Sequence, residues 1–386
     1  MNLVTSRGAD IAFFLQSLDG GGAERAIVAL AAEIAKRGHA VDLVVGDADT
    51  EFRSEVSTAV RLENFATKSA LLGLFRLVAY LRRRNPAVVM SALDLGNIIL
   101  TAATKLTGYK GRTVISQRAV VAAAHPEWSL GRRLLITFLQ RVLFLRVDAL
   151  ISNSHAAANE LQELLGVPVD RIVVIPNAVD TDRINRLAGE PLNDHRFSEN
   201  RCPLILSVGS LTTRKDMGTL IKAFAIVKAQ REVRLAIVGE GYQPAERRRI
   251  EGLISELGLG ESIYLPGFDA NPYKWMAAAA VFVSSSTAEG FPNVIAETLA
   301  LGRPIVATDC PGDTAELLGH GKWGRLVPVG DPQRMAGAIL AALDDPGPPD
   351  GRVRAADFAP SRITSAYLNV LLPRFEHAAD AFRESV

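Results

Sequence analysis

The chain has 386 residues, a hydrophobic content of 48% and a formal net charge of +1. This length allows two domains of ordinary size, each with its own core, and the near-zero net charge gives no case for a nucleic-acid partner. The two cysteines, Cys202 and Cys310, argue against a disulfide framework and fit a reducing cytosol.

The N-terminus lacks the apolar region and the cleavage site that a signal peptide would show. Along the chain, no apolar run approaches the roughly 18 residues that a membrane span needs. We therefore expect a cytoplasmic chain that is soluble or peripheral.

A βαβ unit with a glycine-rich first turn opens the chain. Residues 11–16 predict a buried strand, residues 23–37 a helix and residues 40–45 a second strand. The turn contains Gly21 and Gly22, and it is not the G-x-G-x-x-G dinucleotide fingerprint. Its glycines serve either a tight turn or the close approach of the backbone to a substrate.

Helices and strands continue to alternate up to residue 175. We predict helices over 68–84, 97–105, 129–146 and 154–165, and strands over 87–91, 112–116, 149–152 and 173–175. Arg118 follows the strand that ends at residue 116, and His125 lies in the loop beyond it. Each of these two side chains is either a solvated surface group or a ligand-binding residue.

The helix over 129–146 has a polar and basic face. Its members are Ser129, Arg132, Arg133, Thr137 and Gln140, which recur at spacings of three and four residues. Apolar residues cover much of the remaining surface. The helix is therefore either a core helix with a solvated basic face or a helix that rests on an anionic membrane surface.

The second half repeats the alternating pattern after a polar stretch. We predict strands over 203–208, 233–238, 263–265, 277–283, 305–308 and 324–328, and helices over 219–230, 242–257, 294–301, 332–343 and 360–382. The predicted domains are residues 1–185 and 201–360, joined by a linker over 186–200, with residues 361–386 crossing back to the first domain. The pattern predicts two doubly wound α/β domains that face one cleft.

The stretch from Glu289 to Glu297 carries the most specific signal. Glu289 follows a predicted strand, Pro292 suits the first turn of the next helix, and Glu297 lies about one turn into that helix. Free N–H groups at residues 293–295 would attract an anion, while carboxylates are good acceptors for vicinal hydroxyl groups. The combination suggests a sugar nucleotide; the alternative is two solvated glutamates on an ordinary loop and helix.

The sequence Glu289-Gly-Phe-Pro-Asn-Val-Ile-Ala-Glu297 resembles the Glu-x7-Glu signature of the retaining GT-B glycosyltransferases of family 4, also called group 1. The pair Arg214-Lys215, the Gly-Gly-Ala-Glu-Arg loop that begins at Gly21 and the interdomain turn over 176–180 are similar to segments of that family. Ser116-Gln117-Arg118 looks like the Ser-Glu-Arg of members that build lipid-linked glycans, with Gln in place of Glu. The resemblance covers nearly the whole chain and is most specific over 203–330.

This resemblance implies a nucleotide-sugar donor, with a UDP-sugar as the first choice and a GDP-sugar as the second. Arg214 and Lys215 would stabilise the departing diphosphate, Glu289 would orient the sugar hydroxyls, and Glu297 would hold the ribose. Further donor contacts would come from Gly209, Glu240, Gly267, Phe268, Gly290, Phe291, Pro292, Asn293 and Val294. The acceptor or cleft residues would be Gly21, Gly22, Arg118 and His125.

The implied acceptor is a glycan or a lipid-linked glycan of cell-surface polysaccharide or glycolipid biosynthesis. The enzyme would then work in the cytoplasm, as a peripheral protein on the inner face of the plasma membrane. Basic helices of the first domain would meet that anionic surface.

Two Asp-x-Asp patterns, Asp47-Ala-Asp49 and Asp180-Thr-Asp182, raise the alternative of a Mg²⁺-dependent transferase. One follows a strand and the other lies in the turn before the linker, so we expect neither a metal nor another cofactor. Two fixed cations can stabilise the leaving group without one. Two other functions stay open: a GT-B sugar-nucleotide epimerase, and a non-catalytic sugar-nucleotide-binding protein.

Overall fold

A computed structural model of the chain describes residues 9–18, 22–48, 51–117, 130–192, 202–241 and 244–373. The chain divides into two compact units. The first unit comprises Met1–Ala178 and Pro360–Val386, and the second comprises Val179–Ala359. The first boundary therefore lies earlier than the expected residue 185.

The described strands of the first unit form one parallel sheet in the order β3-β2-β1-β4-β5-β6-β7. Numbered in chain order, they are β1 (Ile11–Ser17), β2 (Val41–Asp47), β3 (Arg61–Asn64), β4 (Val88–Ala92), β5 (Arg112–Gln117), β6 (Ala149–Ser152) and β7 (Ile172–Val174). The helices are α1 (Gly22–Lys36), α2 (Ala70–Arg84), α3 (Asp94–Thr107), α4 (Leu130–Phe144), α5 (His155–Leu165) and α14 (Pro360–Leu371).

Helices cover both faces of this sheet. Alternate residues of β1 point to opposite faces, so Phe13 joins the core on the side of α1 and α14, whereas Phe14 joins the core on the side of α2 to α5. Because both faces are buried, the central strands are mainly apolar, which is why their positions could be predicted.

The described strands of the second unit form another parallel sheet in the order β10-β9-β8-β11-β12-β13. These are β8 (Leu204–Val208), β9 (Arg234–Val238), β10 (Ile263–Gly267), β11 (Val281–Ser284), β12 (Ile305–Thr308) and β13 (Arg325–Val327). The helices are α6 (Thr181–Ala188), α7 (Met217–Lys228), α8 (Pro244–Glu256), α9 (Tyr273–Ala278), α10 (Asn293–Ala300), α11 (Thr314–Leu317), α12 (Pro332–Leu343) and α13 (Arg352–Ala355).

The strand order of the second unit reverses between β8 and β11. The chain leaves β8 toward β9 and β10 and then returns to place β11 on the other side of β8. In doubly wound sheets such a reversal opens a crevice at the carboxyl ends of the two strands. The predicted fold class, α/β with two parallel sheets, is confirmed.

The predicted strand over 277–283 is wrong at its start, because α9 continues to Ala278 and β11 begins only at Val281. Asn271 Oδ1 accepts from the N–H of Tyr273 at 3.1 Å, and Trp275 Nε1 donates to Asp269 Oδ2 at 2.9 Å. These contacts fix a helical turn ahead of the apolar run, and alanine favours its continuation.

Helix α6 (Thr181–Ala188) overlaps the expected linker, residues 186–200, only at residues 186–188. The Asp180 side chain accepts from the Arg183 N–H at 3.0 Å and caps this helix, and Ile184 is buried in the core of the second unit. Residues 181–188 therefore belong to the second unit, while residues 193–200 lie outside the described residues.

The predicted polar face of helix α4 is not solvated at Gln140. Gln140, predicted on a solvated face, is 2% exposed and donates through Nε2 to Asp94 Oδ1 at 2.9 Å. The apolar residues Leu134 and Leu135 are exposed instead. A hydrogen-bonding partner on α3 thus outweighs the apolar pattern of the helix.

Of the described helices, none has the length and apolar character that crossing a membrane requires.

Candidate functional site

The loops that follow β8 and β11 meet at the strand-order reversal of the second unit. The loop after β8 forms a 3₁₀ turn, Thr213–Lys215, and the loop after β11 carries Glu289. β8 and β11 are paired neighbours, with Ile205 opposite Val281. The fold therefore brings together basic and acidic residues that are more than seventy positions apart in the sequence.

Arg214 and Lys215 converge on the Glu289 carboxylate. Lys215 Nζ lies 2.5 Å from Glu289 Oε1, and Arg214 Nη1 lies 2.9 Å from Glu289 Oε2. Ser286 Oγ also donates to Glu289 Oε1, at 2.7 Å. All three residues that were predicted to be catalytic thus lie in one hydrogen-bonded cluster.

The backbone of each loop is tied to the other loop. The Thr287 N–H donates to the Arg214 carbonyl at 2.8 Å, and Ser285 Oγ donates to the Lys215 carbonyl, also at 2.8 Å. Thr308 Oγ1 on β12 donates to the Ser286 carbonyl at 2.5 Å. These bonds fix the backbone of the loop that carries the two cations.

The cluster sets the ionisation of Glu289. Its side chain is only 7% exposed, and this burial alone would raise the pKa of the carboxyl. The charges of Lys215 and Arg214, with the hydrogen bonds from Lys215 and Ser286, outweigh burial and hold the pKa of Glu289 below its usual value. Glu289 is therefore a carboxylate at neutral pH.

Glycines bring the strand ends close together around this cluster. Gly239 has φ +144°, and a Cβ there would lie 2.0 Å from the carbonyl oxygen of Gly209. Gly209 in turn donates to Val238 O at 2.9 Å, and Gly239 donates to Gly267 O at 2.8 Å. The ends of β8, β9 and β10 thus present bare backbone, where a ligand can approach closely.

Gly312 likewise allows a close backbone approach, here to the Glu289 loop. It has φ +129°, and a Cβ on it would lie 1.8 Å from the Glu289 carbonyl oxygen. Glu289 also donates through its N–H to Pro311 O at 2.9 Å. Only glycine fits at position 312 while the Glu289 backbone keeps its place.

Glu297 lies in a different environment from Glu289. Its Oε1 accepts from the hydroxyl of Tyr273 on α9 at 3.2 Å. Burial raises the pKa of Glu297 to about 7, although the Tyr273 hydrogen bond and the charge of Arg183 act in the opposite direction. At neutral pH this carboxyl is divided between its neutral and charged forms.

Part of the segment between the two glutamates packs in the core of the second unit, and its role in donor binding stays a prediction. The Phe291 ring is buried and packs edge-on against Phe358, with 5.4 Å between ring centroids, while Pro292 is buried and Val294 half-buried. The expectation of free N–H groups at 293–295 is wrong for two of them. Asn293 donates to Phe291 O and Ile295 to Pro292 O, both at 3.0 Å, because the chain turns tightly into α10. Gly290 O accepts from the Asp313 N–H at 3.1 Å.

Phe268 and Glu240 lie at the carboxyl ends of β10 and β9. Phe268 follows Gly267 and is 75% exposed, an unusual position for a phenylalanine. Glu240 is exposed, and its carboxylate lies 3.5 Å from Arg247 Nη1. Both stand on the same edge of the sheet as Lys215, and their roles in donor binding stay predictions.

Among the predicted acceptor-side residues, Gly22 is the first residue of α1. Gly21, Arg118 and His125 lie outside the described residues. Within the described ranges, no three His, Cys, Asp or Glu side chains gather as a metal ion would require. The expectation that no metal is needed is not tested by this observation.

Several residues of the site were not predicted. Ser286 and Tyr273 bond the two glutamates, and Gly312 makes room for the Glu289 backbone. The polar run over 284–287, directly after a buried strand, was a usable signal for Ser286. Tyr273 and Gly312 reach the site only through tertiary packing, for which the sequence has no local sign.

Two sequence-family models match the chain. The model described as Glycosyltransferase Family 4 matches residues 20–183, and the model described as Glycosyl transferases group 1 matches residues 202–345. The two matches fall largely in different units and include the Glu289 cluster.

Curated relatives carry related names. An N-acetylgalactosamine-N,N'-diacetylbacillosaminyl-diphospho-undecaprenol 4-alpha-N-acetylgalactosaminyltransferase of Campylobacter jejuni is 32% identical over 241 residues, which are 62% of this chain and 63% of the relative. The lipopolysaccharide core biosynthesis glycosyltransferase LpsE of Rhizobium meliloti is 27% identical over 366 residues, 91% of this chain and 96% of the relative. The chain spans less than two thirds of the first curated relatives: 63% of the Campylobacter protein, and 36% and 20% of the next two.

Solved structures share the fold. Anabaena HepE in complex with UDP superposes with a TM-score of 0.75 at 22% identity, over 94% of this chain and 99% of that one. At this identity the likeness shows the fold alone, which is the predicted GT-B fold. From the two family models and this fold, the chain belongs to the group 1 glycosyl transferases of glycosyltransferase family 4, as the Glu-x7-Glu stretch predicted.

Proposed function

We propose that this chain is a retaining glycosyltransferase that moves a sugar from a nucleotide-sugar donor to a hydroxyl group of a glycan or lipid-linked acceptor. The observation that carries the proposal is the convergence of Arg214 and Lys215 on Glu289 at the strand-order reversal. Two preorganised cations at such a crevice suit a diphosphate leaving group.

The names of similar proteins support the proposed substrates. The Campylobacter relative is named for a diphospho-undecaprenol acceptor, the Rhizobium relative for lipopolysaccharide core biosynthesis, and the Anabaena structure holds UDP. We propose a UDP-sugar as the first choice of donor, a GDP-sugar as the second, and a role in cell-surface polysaccharide or glycolipid biosynthesis.

In the proposed donor complex, the diphosphate replaces part of the contact that the cations make with Glu289. The Arg214 guanidinium offers a planar pair of donors to phosphate oxygens, and the Lys215 ammonium offers a compact charge. Glu289 stays ionised and can then accept hydroxyl groups of the transferred sugar. The exposed ring of Phe268 and the open backbone at Gly267 would lie toward the base.

Glu297 would accept the two ribose hydroxyl groups. A carboxylate can accept both at once, whereas the protonated carboxyl has one acceptor fewer and adds a donor. Tyr273 holds one oxygen of this group at 3.2 Å, which leaves the second oxygen for the ligand. Donor binding would therefore favour the ionised form of Glu297.

The transfer step needs no nucleophile from the protein. The bond between the anomeric carbon and the diphosphate oxygen breaks, and the acceptor oxygen bonds to that carbon from the same face. Because the new bond forms on the face from which the diphosphate leaves, the configuration is retained. The acceptor proton passes to the departing diphosphate oxygen. Arg214 and Lys215 stabilise the charge that develops on the leaving group, and Glu289, engaged by both cations, positions the sugar.

The test is thermal stabilisation of the full chain by a panel of UDP-, GDP- and ADP-sugars. Wild type is compared with Glu297→Ala, and Glu316→Ala is the control because that glutamate is 59% exposed on α11 of the same unit. We expect a rise in Tm with one base family, absent in Glu297→Ala and retained in Glu316→Ala. No rise with any nucleotide would contradict the proposal.

Product analysis separates the two other functions. Consumption of the stabilising nucleotide sugar without any acceptor would identify an epimerase. Tight binding without turnover on any acceptor pool would identify a binding protein. Incorporation of the sugar into an added acceptor, with the anomeric configuration kept, is the result that we expect.

A further inference from the structure

Tyr273 contacts the Glu297 carboxyl from outside the cluster of Glu289 and the two cations. It is the first residue of α9, it is 8% exposed, and its hydroxyl donates to Glu297 Oε1 at 3.2 Å. The last torsion of a glutamate side chain is broad unless a neighbour restrains it. Because Tyr273 holds Oε1, it also sets the direction in which the second oxygen, Oε2, points.

Asn271 connects the start of α9 to the end of α6. Its Oδ1 accepts from the Tyr273 N–H at 3.1 Å, while its Nδ2 donates to the Leu187 carbonyl at 2.9 Å and to Glu190 Oε2 at 2.8 Å. The side chain is 9% exposed, so these hydrogen bonds are shielded from water. Asn271 therefore joins a helix that is distant in sequence to the residue that contacts Glu297.

Asp269 restrains the same turn from its other side. Its Oδ1 accepts from the Asn271 N–H at 2.9 Å, and its Oδ2 accepts from Trp275 Nε1 at 2.9 Å and lies 2.9 Å from Lys274 Nζ. Two side chains of one short turn, Asp269 and Asn271, thus restrain the backbone that carries Tyr273.

The groups around Glu297 show how Tyr273 acts on its ionisation. Burial raises the pKa of Glu297 to about 7, and the Tyr273 hydrogen bond and the charge of the exposed Arg183 on α6 both lower it. Helices α6, α9 and α13 and strand β12 pack against α10, and β12 has no ionisable residue. The other ionisable side chains of these helices are exposed on α6 or paired with aspartates on α9 and α13: Asp182, Arg186, Lys274, Arg352 and Arg354. Loss of the Tyr273 hydroxyl should therefore raise the pKa of Glu297 further.

We infer that Tyr273 is a positioning residue for nucleotide recognition, which orients the Glu297 carboxylate toward the ribose hydroxyl groups of the donor and is itself held in place by Asn271. The inference rests on the proposed function, because it takes Glu297 as the ribose acceptor. In this role Tyr273 acts through Glu297 alone. Its contribution should therefore depend on the ribose hydroxyl groups of the ligand.

Isothermal titration calorimetry near neutral pH with UDP and 2′-deoxy-UDP tests this role, with GDP and 2′-deoxy-GDP in parallel. The two members of a pair differ by one ribose hydroxyl and carry the same diphosphate, so the ratio of their Kd values reports the hydroxyl contact. The test variants are Tyr273→Phe and Asn271→Ala. The matched control is Tyr80→Phe, because Tyr80 is 1% exposed and donates to a carboxylate, Asp42 Oδ2, at 2.7 Å, but lies in the first unit.

Wild type should prefer the ribonucleotide about tenfold, which is the value of one hydrogen bond to a charged acceptor. Tyr273→Phe should bind the ribonucleotide about tenfold more weakly and the deoxynucleotide at most about threefold more weakly, so the preference falls. Asn271→Ala should reduce the preference in the same direction, whereas Tyr80→Phe should keep it. Circular dichroism and Tm show whether each variant is folded.

A second readout needs no ligand. The fall in stability with rising pH that Glu297 causes should lie at higher pH in Tyr273→Phe than in wild type, because the folded variant holds the Glu297 proton more tightly. Urea unfolding over a range of pH values measures this shift. Tyr80→Phe should leave the position of the fall unchanged.

Several results would overturn the inference. They are equal binding of the two nucleotides by wild type, equal weakening of both in folded Tyr273→Phe, or a wild-type pH curve of stability in that variant. An unchanged preference in Asn271→Ala would overturn the part assigned to Asn271. If no nucleotide binds wild type, the proposed function fails and the inference fails with it. If wild type prefers the ribonucleotide and Tyr273→Phe keeps that preference, the inference alone fails.

Discussion

At the scale of single residues, the site consists of two cations that both contact one buried carboxylate. Lys215 is 13% exposed and Arg214 is 51% exposed, so Lys215 interacts with Glu289 in the drier surroundings and is less screened by water. In the proposed reaction Lys215 therefore contributes more to the stabilisation of the leaving diphosphate than its exposed neighbour does.

Lys215→Ala should lower kcat roughly 10²-fold or more, as removal of one preorganised donor does in other enzymes. The control is Lys228→Ala, because Lys228 lies in the last turn of α7 and pairs with Glu232 away from the cluster. Steady-state kinetics on the donor and acceptor found by screening would measure both variants. Near-normal turnover in Lys215→Ala would remove the assignment of Lys215 to leaving-group stabilisation.

The raised pKa of Glu297 leads to a separate prediction, on the pH dependence of stability. Its pKa is raised to about 7 in the folded protein, so the folded state binds the proton more tightly than the unfolded chain does. Stability should therefore fall as pH rises from the ordinary glutamate range through about 7, by roughly 3 kcal/mol in total, and then level off. Glu297→Gln carries no proton to lose and should not show this change.

Urea unfolding of wild type and Glu297→Gln at about pH 5 and about pH 8 measures this difference. The free energy of unfolding of wild type should decrease relative to the variant between the two values. Parallel pH curves for the two proteins would show that the Glu297 carboxyl has an ordinary pKa, which would contradict this prediction.

At the scale of elements, the start of helix α7 positions Lys215. Asp216, directly after Lys215, has φ +42° in the left-handed region, and its carboxylate accepts from the Thr219 N–H at 3.2 Å and from Thr219 Oγ1 at 2.6 Å. Aspartate tolerates this backbone conformation better than most residues and caps the helix at the same time. The position of the Lys215 backbone thus depends on the start of α7.

Asp216→Ala should cost about 1–2 kcal/mol of stability through loss of the cap and left-handed strain, and should also lower kcat. Asp216→Asn should retain most of both, because asparagine caps helices and accepts the left-handed region. The control is Asp331→Ala, which removes the equivalent cap of α12, where Asp331 accepts from the Arg334 N–H at 2.9 Å. If Asp216→Ala and Asp331→Ala had the same kcat, the start of α7 would have no role beyond stability.

The elements also show what could be predicted from the sequence and what could not. The strands β8 and β11 are mainly apolar, and Pro292 marks the start of the helix after β11, so the Lys215 and Glu289 loops were located correctly in the chain. Helix α4 was located too, but not its orientation. Its apolar residues suggested a core face, whereas the Asp94 side chain on α3 draws Gln140 inward. Such a choice depends on a partner that is distant in sequence.

At the scale of the whole molecule, the two units differ in the number of chain segments that form them. The second unit is one continuous segment, whereas the first is completed by α14 after the second has ended. Ile363, Tyr367 and Leu371 of α14 are buried in the core that α1 and β1 form. Arg37 Nη1 also donates to Ser365 Oγ at 2.9 Å. Residues 361–386 were expected to cross back to the first domain, and these contacts assign α14 to the first unit.

Because each unit has its own core, a core defect should remain within the unit that contains it. Leu371 is 1% exposed in the first unit and Ile339 is 0% exposed on α12 of the second. Leu371→Ala and Ile339→Ala should each cost about 2–5 kcal/mol through lost burial and a residual cavity. Hydrogen exchange followed by mass spectrometry should show faster exchange in α1 and β1 for Leu371→Ala, and in α7 and β8 for Ile339→Ala. Equal acceleration in both units for either variant would mean that the chain unfolds as one cooperative body, and the division by cores would then not describe its energetics.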